Sequence, residues 1–442
     1  MGDDGINYFG ADPHLPGGLE RGREPFEKSN VEPIRRRKPA EEPARTDLFH
    51  VDASAPVPRE TTRSALLRGA WVEVDLSAIA HNVALARRRL GPARRLLAVV
   101  KADGYGHGAV QVARAALKAG ASRLGVATVE EGAALRQAGI DVPILVLSQP
   151  TTRSIPHLLA YKLTPSVYST DFALALGEAA DLQHTVAPYH LAVNTGMNRI
   201  GVPHADVVEF LRAVGFHRGI MLEGTFTHFA CADDTTDVDF REQLACFQDA
   251  LAAMRDARMD PGIVHCANSA AIMRYPEAHY DMGRLGCMMY GLAPSPNLRG
   301  VEDLRPAMSV KALVSAVHEP RIGQGVSYGF TYRTATPVQI ATVPLGYADG
   351  LRRSLSNCMD VLIHGQVCVQ AGNICMDQFM VEVPFTHRRD SGGTGVQEGD
   401  EVVVVGRQGD EEITADMMAD QIGTINYEIV CGFGMRLPRI YT

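Results

Sequence analysis

Lys101 follows four apolar residues, 97–100, in the run LLAVVK. An amine that leaves a buried strand is partly desolvated, which lowers its pKa and frees it as a nucleophile. That is the condition for Schiff-base chemistry. A strand-end lysine can also simply reach solvent. The next residues, Ala-Asp-Gly-Tyr105-Gly-His-Gly, weigh toward a site, because a glycine-punctuated loop lets backbone and a tyrosine hydroxyl approach a ligand closely.

Further along, Asn268-Ser269 and Gly286-Cys287 follow short apolar runs. A hydroxyl donor, flexible backbone and exposed N–H groups suit a phosphate dianion, although ordinary turn chemistry explains the same residues. A reactive lysine and a phosphate cradle at one mouth together suggest pyridoxal 5′-phosphate (PLP). Arg284, between Gly283 and Leu285, lies inside an apolar run. A buried guanidinium needs partners. It could form a structural ion pair. It could also donate to a pyridine nitrogen without yielding its proton, which keeps the ring neutral and favours proton removal and return over transamination. Tyr328, in GVSYGFTY (325–332), reads as a turn residue. An unaided phenol titrates near ~10 and is a poor base at neutral pH, so it needs a positive neighbour or a relay.

The elements that must position these residues alternate from residue 96 to about 287. Eight short β-like runs (96–100, 124–128, 143–147, 164–168, 189–194, 224–228, 263–267 and 281–286) are separated by helical stretches such as 109–120 and 240–257. Eight such units predict a (β/α)₈ TIM-type barrel, whose active residues sit where strands end. Lys101, Tyr105, Asn194, Arg199, His228, Asn268, Ser269, Arg284, Gly286 and Cys287 would then face one mouth. After about residue 300, runs at 308–319, 338–345, 361–369 and 401–406 are joined by Gly- and Asp-containing turns, which predicts a mostly β second domain. The expected division is an N-terminal extension over 1–69, a barrel over 70–305 and a β-rich domain over 306–442. The leading strand 71–76 is expected to join the second domain. Ser77 is expected to cap the first helix, and Thr414 a short helix ending at Gly423.

The chain has 442 residues, 46% hydrophobic and 21% charged, and a net charge of −8. That length suits two domains, and the negative charge argues against nucleic acid or an anionic membrane as partner. Residues 1–69 lack apolar runs and include Arg35-Arg36-Arg37-Lys38, which reads as a solvated extension rather than an anion-binding arm. The first thirty residues hold charges, Gly and Pro but no apolar core, so no secretory signal is expected, and no window reaches membrane-span length. The eight cysteines are scattered without a C-x-x-C pair, which points to a reducing cytoplasm and to no metal site.

In order along the chain stand VVKADGYGHG (99–108), HLAVNTGMNRIG (190–201), EGTFTHFACAD (223–233), HCANSAA (265–271), RLGCMMYG (284–291), VSYGFTY (326–332), PLGYADG (344–350), ICMDQ (374–378) and TINYEIVCG (424–432). From about residue 71 onward this sequence resembles the bacterial alanine racemases. The resemblance implies a PLP-binding barrel with a C-terminal β domain, assembled as a head-to-tail homodimer, which interconverts L- and D-alanine for peptidoglycan. It implies that Lys101 holds the cofactor in Schiff-base linkage and that Tyr328 reaches the partner's barrel as second base. His228 and Arg284 would form a relay behind that tyrosine, with Arg284 on the pyridine nitrogen. Arg199 would meet the phenolic oxygen. Tyr105, Ser269, Gly286, Cys287 and Tyr427 would bind phosphate, with Asn268 among the cofactor contacts. The backbone N–H of Met376 would help hold the substrate carboxylate. Tyr347 and His265 would line the entrance.

The sequence departs from the family at three positions. Ala192 stands where many members have a carbamylated lysine, and Asn194 where they have an acid, so a chloride ion or a water is expected beside Arg199. Asn373 replaces an entrance arginine and makes the mouth less basic. Competing readings are a racemase of serine, lysine or a broader set, a related decarboxylase, and a non-catalytic PLP-binding protein, which would need no second domain.

Overall fold

A computed structural model describes residues 66–389 and 392–442. The Arg35–Lys38 run and most of the expected extension lie outside the described residues.

Eight parallel strands form the barrel: β2 (Arg95–Val99), β3 (Arg123–Val126), β4 (Ile144–Val146), β5 (Thr164–Val167), β6 (Ala187–Asn194), β7 (Ile220–Phe226), β8 (Ile263–His265) and β9 (Met282–Leu285); the two-residue strand Val202–Pro203 adds to β6 and makes the sheet nine-stranded. Each pairs with the next from β2 to β8, and β9 pairs back onto β2. Bonds from Asp281 N–H to the Val264 carbonyl (3.0 Å) and from Arg284 N–H to the Ala267 carbonyl (2.9 Å) draw β9 against β8 and nearly close the barrel. The strands are mostly apolar and buried because both faces are covered, the inner by the barrel core and the outer by helices. β4, β5 and β9 are buried at every position.

The helices between them form where the apolar stripe and the caps agree. Thr128 and Glu131 make a reciprocal capping box at the start of Val129–Gln137. At the first helix, Leu76–Leu90, the expected cap is corrected. Asp75 accepts from the N–H groups of Ser77 and Ala78, and Ser77 lies inside the helix. A carboxylate two residues earlier supplies two bonds where the hydroxyl supplies one.

The second sheet is mostly antiparallel and ten-stranded. Its strands are β1 (Ala70–Val74), β10 (Met308–Leu313), β11 (Ala316–His318), β12 (Val338–Val343), β13 (Asp360–Ile363), β14 (Gln366–Gln370), β15 (Phe379–Pro384), β16 (Glu401–Gln408), β17 (Glu411–Ile413) and β18 (Arg439–Tyr441). The order is β11-β12-β15-β14-β13-β16-β10-β1-β18, with β17 on β16. β10 and β15 alternate buried and half-exposed positions, as strands with one wet face do. β1 precedes the barrel in sequence yet pairs antiparallel with β10 and parallel with β18, so three distant segments meet beside the barrel. Thr414 caps Ala415–Ile422 through a bond from Met417 N–H, and Gly423 closes it in the left-handed conformation.

Candidate active site

One cavity of about 480 Å³ opens at the C-terminal ends of the barrel strands. Lys101, Tyr105, Arg199, His228, Asn268, Ser269, Arg284, Gly286, Cys287 and Tyr427 all line it, as do Ala192 and Asn194.

Lys101 leaves β2 and opens a backbone conformation rare for L-residues. Ala102, Asp103, Gly104, Tyr105 and Gly106 all have positive φ, between 52° and 79°. Left-handed geometry costs roughly 1–2 kcal/mol at each non-glycine residue, so the surroundings must hold it. Glu131 accepts from Ala102 N–H at 2.7 Å, and the Asp103 carboxylate accepts from Ala109 N–H at 2.8 Å. Burial, then the charge of Arg199, lowers the Lys101 pKa. Both effects favour the neutral amine, the form that attacks carbonyls and accepts protons.

The wall beside Tyr105 fits a phosphate. The Ser269 hydroxyl accepts from Gly286 N–H at 3.0 Å. A Cβ on Gly286 would stand 3.1 Å from the Tyr105 hydroxyl and 3.7 Å from that of Ser269, so the missing side chain is what lets three polar groups converge. The Tyr427 ring centroid lies 6.2 Å from that of Tyr105, and burial raises both phenol pKa values, so both stay protonated donors.

Arg284 fits a pyridine nitrogen. It is buried in β9 and donates to the carbonyls of His265 (3.1 Å), Thr227 (2.8 Å) and Cys266 (3.1 Å). It also reaches His265 Nδ1 at 3.0 Å and His228 Nδ1 at 3.1 Å. Its Nε has no hydrogen-bond partner among the described residues, while the residue lines the cavity. Burial lowers its pKa to about 10, so it stays charged.

A guanidinium has no acceptor, and this fixes the tautomers of the histidines around it. His265 must accept at Nδ1 and so carries its proton on Nε2. That nitrogen lies 2.7 Å from His190 Nδ1, which accepts in turn. The His190 proton then sits on Nε2, 3.4 Å from the Glu223 carboxylate. Glu223 pairs with Arg123 at 2.7 Å. A directed polar chain therefore runs down the barrel from Arg284 to Arg123. His228 likewise holds its proton on Nε2. Burial, and then the Arg284 charge, lowers its pKa to about 3, so it is neutral.

His265 requires a correction. It was expected at the entrance and is instead fully buried, stacked on Phe226 with ring centroids 5.0 Å apart. It is the last residue of β8, and its side chain points into the barrel toward Arg284. His190, Glu223 and Gln243 were missed. Gln243 accepts from Ala230 N–H at 2.8 Å and donates to the His228 carbonyl at 3.3 Å. The available signal was an ionisable residue inside an apolar run: His190 in YHLAVN and Glu223 at the head of EGTFTH.

Tyr328, Tyr347 and Met376 do not line this cavity. They stand 74%, 42% and 53% exposed on the second domain. Tyr328 instead borders an apolar groove with Val326, Phe330, Ile340 and Met380. Ala192 is buried and lines the same cavity as Arg199, for which no ion pair with a carboxylate occurs among the described residues. The Asn194 side chain is taken up locally, accepting from the N–H groups of Gly196 and Asn198 at 3.1 Å each.

A nearly closed parallel barrel with these groups at its mouth and a β domain behind it defines a barrel enzyme that works on amino acids through PLP. The sequence pattern of the alanine racemase N-terminal domain matches residues 74–294, and that of the C-terminal domain matches 307–441. The chain belongs to the alanine racemase family, and its reaction is the interconversion of L- and D-alanine. It is 46% identical over 375 residues to an alanine racemase of Symbiobacterium thermophilum, covering 85% of this chain and 97% of that one. It is 44% identical over 377 residues to one of Carboxydothermus hydrogenoformans, covering 85% and 100%. The crystal structure of alanine racemase from Bacillus anthracis with bound L-Ala-P superposes with a TM-score of 0.79 at 38% identity, covering 85% of this chain and 96% of that one.

Proposed function

We propose that racemisation here uses two bases, Lys101 from one subunit and Tyr328 of the partner subunit, on opposite faces of the substrate Cα. A racemase must take a proton from one face and return one to the other, and a single rigid base reaches only one face easily. The observation that carries this reading is a division. Lys101 lines the barrel cavity, while Tyr328 stands exposed on the other domain of the same chain. A head-to-tail homodimer brings the two kinds of residue to one mouth.

PLP, when bound, makes the Cα–H bond acidic by delocalising the electron pair left behind. Lys101 would hold it, Tyr105, Ser269, Gly286, Cys287 and Tyr427 would grip its phosphate end, and Asn268 would be among its contacts. Arg284 would face the ring nitrogen through Nε. Its neutral histidine neighbours offer only acceptors, so it donates without surrendering a proton. Arg199 would meet the phenolic oxygen and, with Met376 N–H, orient the substrate carboxylate. Lys101 Nζ and Tyr328 Oη then each hold the proton in one direction and accept it in the other. His228, with its proton on Nε2, would stand between Arg284 and Tyr328. Tyr347 would border the entrance.

The chain would divide near residue 305, supported by the change from continuous to alternating burial between β9 and β10. The cytoplasm is the compartment that suits eight free thiols. Supply of D-alanine to peptidoglycan follows from the product.

The test is solvent deuterium exchange at Cα, measured for both enantiomers of alanine and of serine. Lys101→Ala should abolish turnover and borohydride-fixed cofactor. Tyr328→Phe should impair exchange from one enantiomer far more than from the other. Equal losses from both would refute the division of labour, and faster turnover of serine would refute alanine as the preferred substrate.

A further inference from the structure

Arg439 lies in β18, at the opposite end of the chain from Lys101, yet it grips the turn that follows Lys101. Its guanidinium makes five hydrogen bonds, all to main-chain carbonyls. Nε and Nη2 reach the Gly106 oxygen at 3.0 and 2.9 Å. Nη1 reaches Gly434 (2.6 Å) and Leu437 (2.8 Å), and Nη2 also reaches Phe433 (2.6 Å). Gly106 closes the left-handed turn, donating its own N–H to the Ala102 carbonyl at 2.9 Å. The second domain crowds the same stretch. A Cβ on Gly106 would lie 2.5 Å from the Val430 oxygen, and one on Gly108 would collide with the Tyr441 hydroxyl.

We propose that Arg439 is a positioning residue for Lys101: it locks the turn at Gly106 to the second domain, so that this domain holds the lysine of its own subunit's barrel in place. The first half of the turn is braced within the barrel by Glu131, and the second half from outside it by Arg439. A left-handed run through Ala102, Asp103 and Tyr105 persists only when its surroundings over-determine it. Arginine suits the task because its rigid fork spans Gly106 and the 433–437 carbonyls together, which a lysine ammonium with three donors on one atom cannot do. The inference rests on the reading of Lys101 as the cofactor's anchor.

The experiment uses purified full-length holoenzyme. Cofactor release is followed by absorbance, and amide hydrogen exchange by mass spectrometry, in the wild type and in Arg439→Lys. The variant should lose cofactor at least tenfold faster, with exchange quickened in 102–108 and not in β12 to β15. Unchanged release, or exchange quickened equally across the second domain, would overturn the proposal. Should the variant fail to fold, the wild type decides: the Gly106 amide should exchange together with the amides of β18, and independent exchange would overturn the proposal. Lys101→Ala serves as the separate control. Borohydride-fixed cofactor in that variant would remove the anchor reading itself, whereas wild-type retention in Arg439→Lys would remove only the brace.

Discussion

Asn373 donates a 2.7 Å hydrogen bond from Nδ2 to the carbonyl oxygen of Tyr328. The Ser327 hydroxyl returns a 2.5 Å bond to the carbonyl of Asn373 itself. The pair holds a turn in which Ser327, Gly329 and Phe330 have φ of 64°, 73° and 46°. Asn373 therefore steadies the backbone of the tyrosine proposed as second base. Asn373→Ala removes one such bond, worth about 0.5–1.5 kcal/mol. We expect kcat/KM to fall roughly 2- to 12-fold with the melting temperature nearly unchanged. Steady-state kinetics in both directions checks this, and an unaltered kcat/KM would remove the side chain from the positioning of Tyr328.

Gly286→Ala places a methyl group 3.1 Å from the Tyr105 hydroxyl and 3.7 Å from that of Ser269. The φ of Gly286 is −103°, outside the left-handed region. The methyl occupies the point where the phosphate-binding groups converge. Cofactor affinity should fall by about 10-fold or more, corresponding to at least one lost charge-assisted hydrogen bond at about 1.5–3 kcal/mol. Titration of cofactor-free protein with PLP measures it, and equal affinity would place the phosphate elsewhere.

Glu223 gives the barrel core an acid-sensitive element. The approach of His190, followed by the Arg123 ion pair, holds its pKa down to about 2. An unfolded glutamate titrates near ~4.3. Between these values the unfolded chain binds more protons than the folded one, so stability falls as pH drops through that window and is full above it. The side chain is 21% exposed, so the contribution is about 1–3 kcal/mol. Glu223→Gln should be less stable than the wild type at pH 6, with the difference shrinking toward pH 2. Urea unfolding across that range is the measurement, and a pH-independent difference would contradict the assignment.

The local order of the polypeptide was sufficient for much of this. Helical stretches between apolar runs, against short Gly- and Asp-containing turns between them, separate barrel strands from sheet strands, because parallel neighbours need long crossovers and antiparallel ones do not. The placement of Lys101, Arg284 and Ser269 at strand ends is equally local, since a barrel sends all its strand ends to one mouth. Tertiary structure decided what depends on through-space direction. HCANSAA indicates that His265 ends a strand, but only packing on Phe226 and bonding to Arg284 turns its ring inward rather than to the entrance. The tautomers from His228 to His190 follow from a guanidinium brought among them by three separate strands. Arg439 looks like any basic residue near a terminus. Its four carbonyl partners come from Gly106 and the 433–437 loop, and they exist only because β18 lies parallel to β1 beside the barrel. Periodicity reports which face of an element is buried, whereas the identity of what lies opposite is set by contacts hundreds of residues apart.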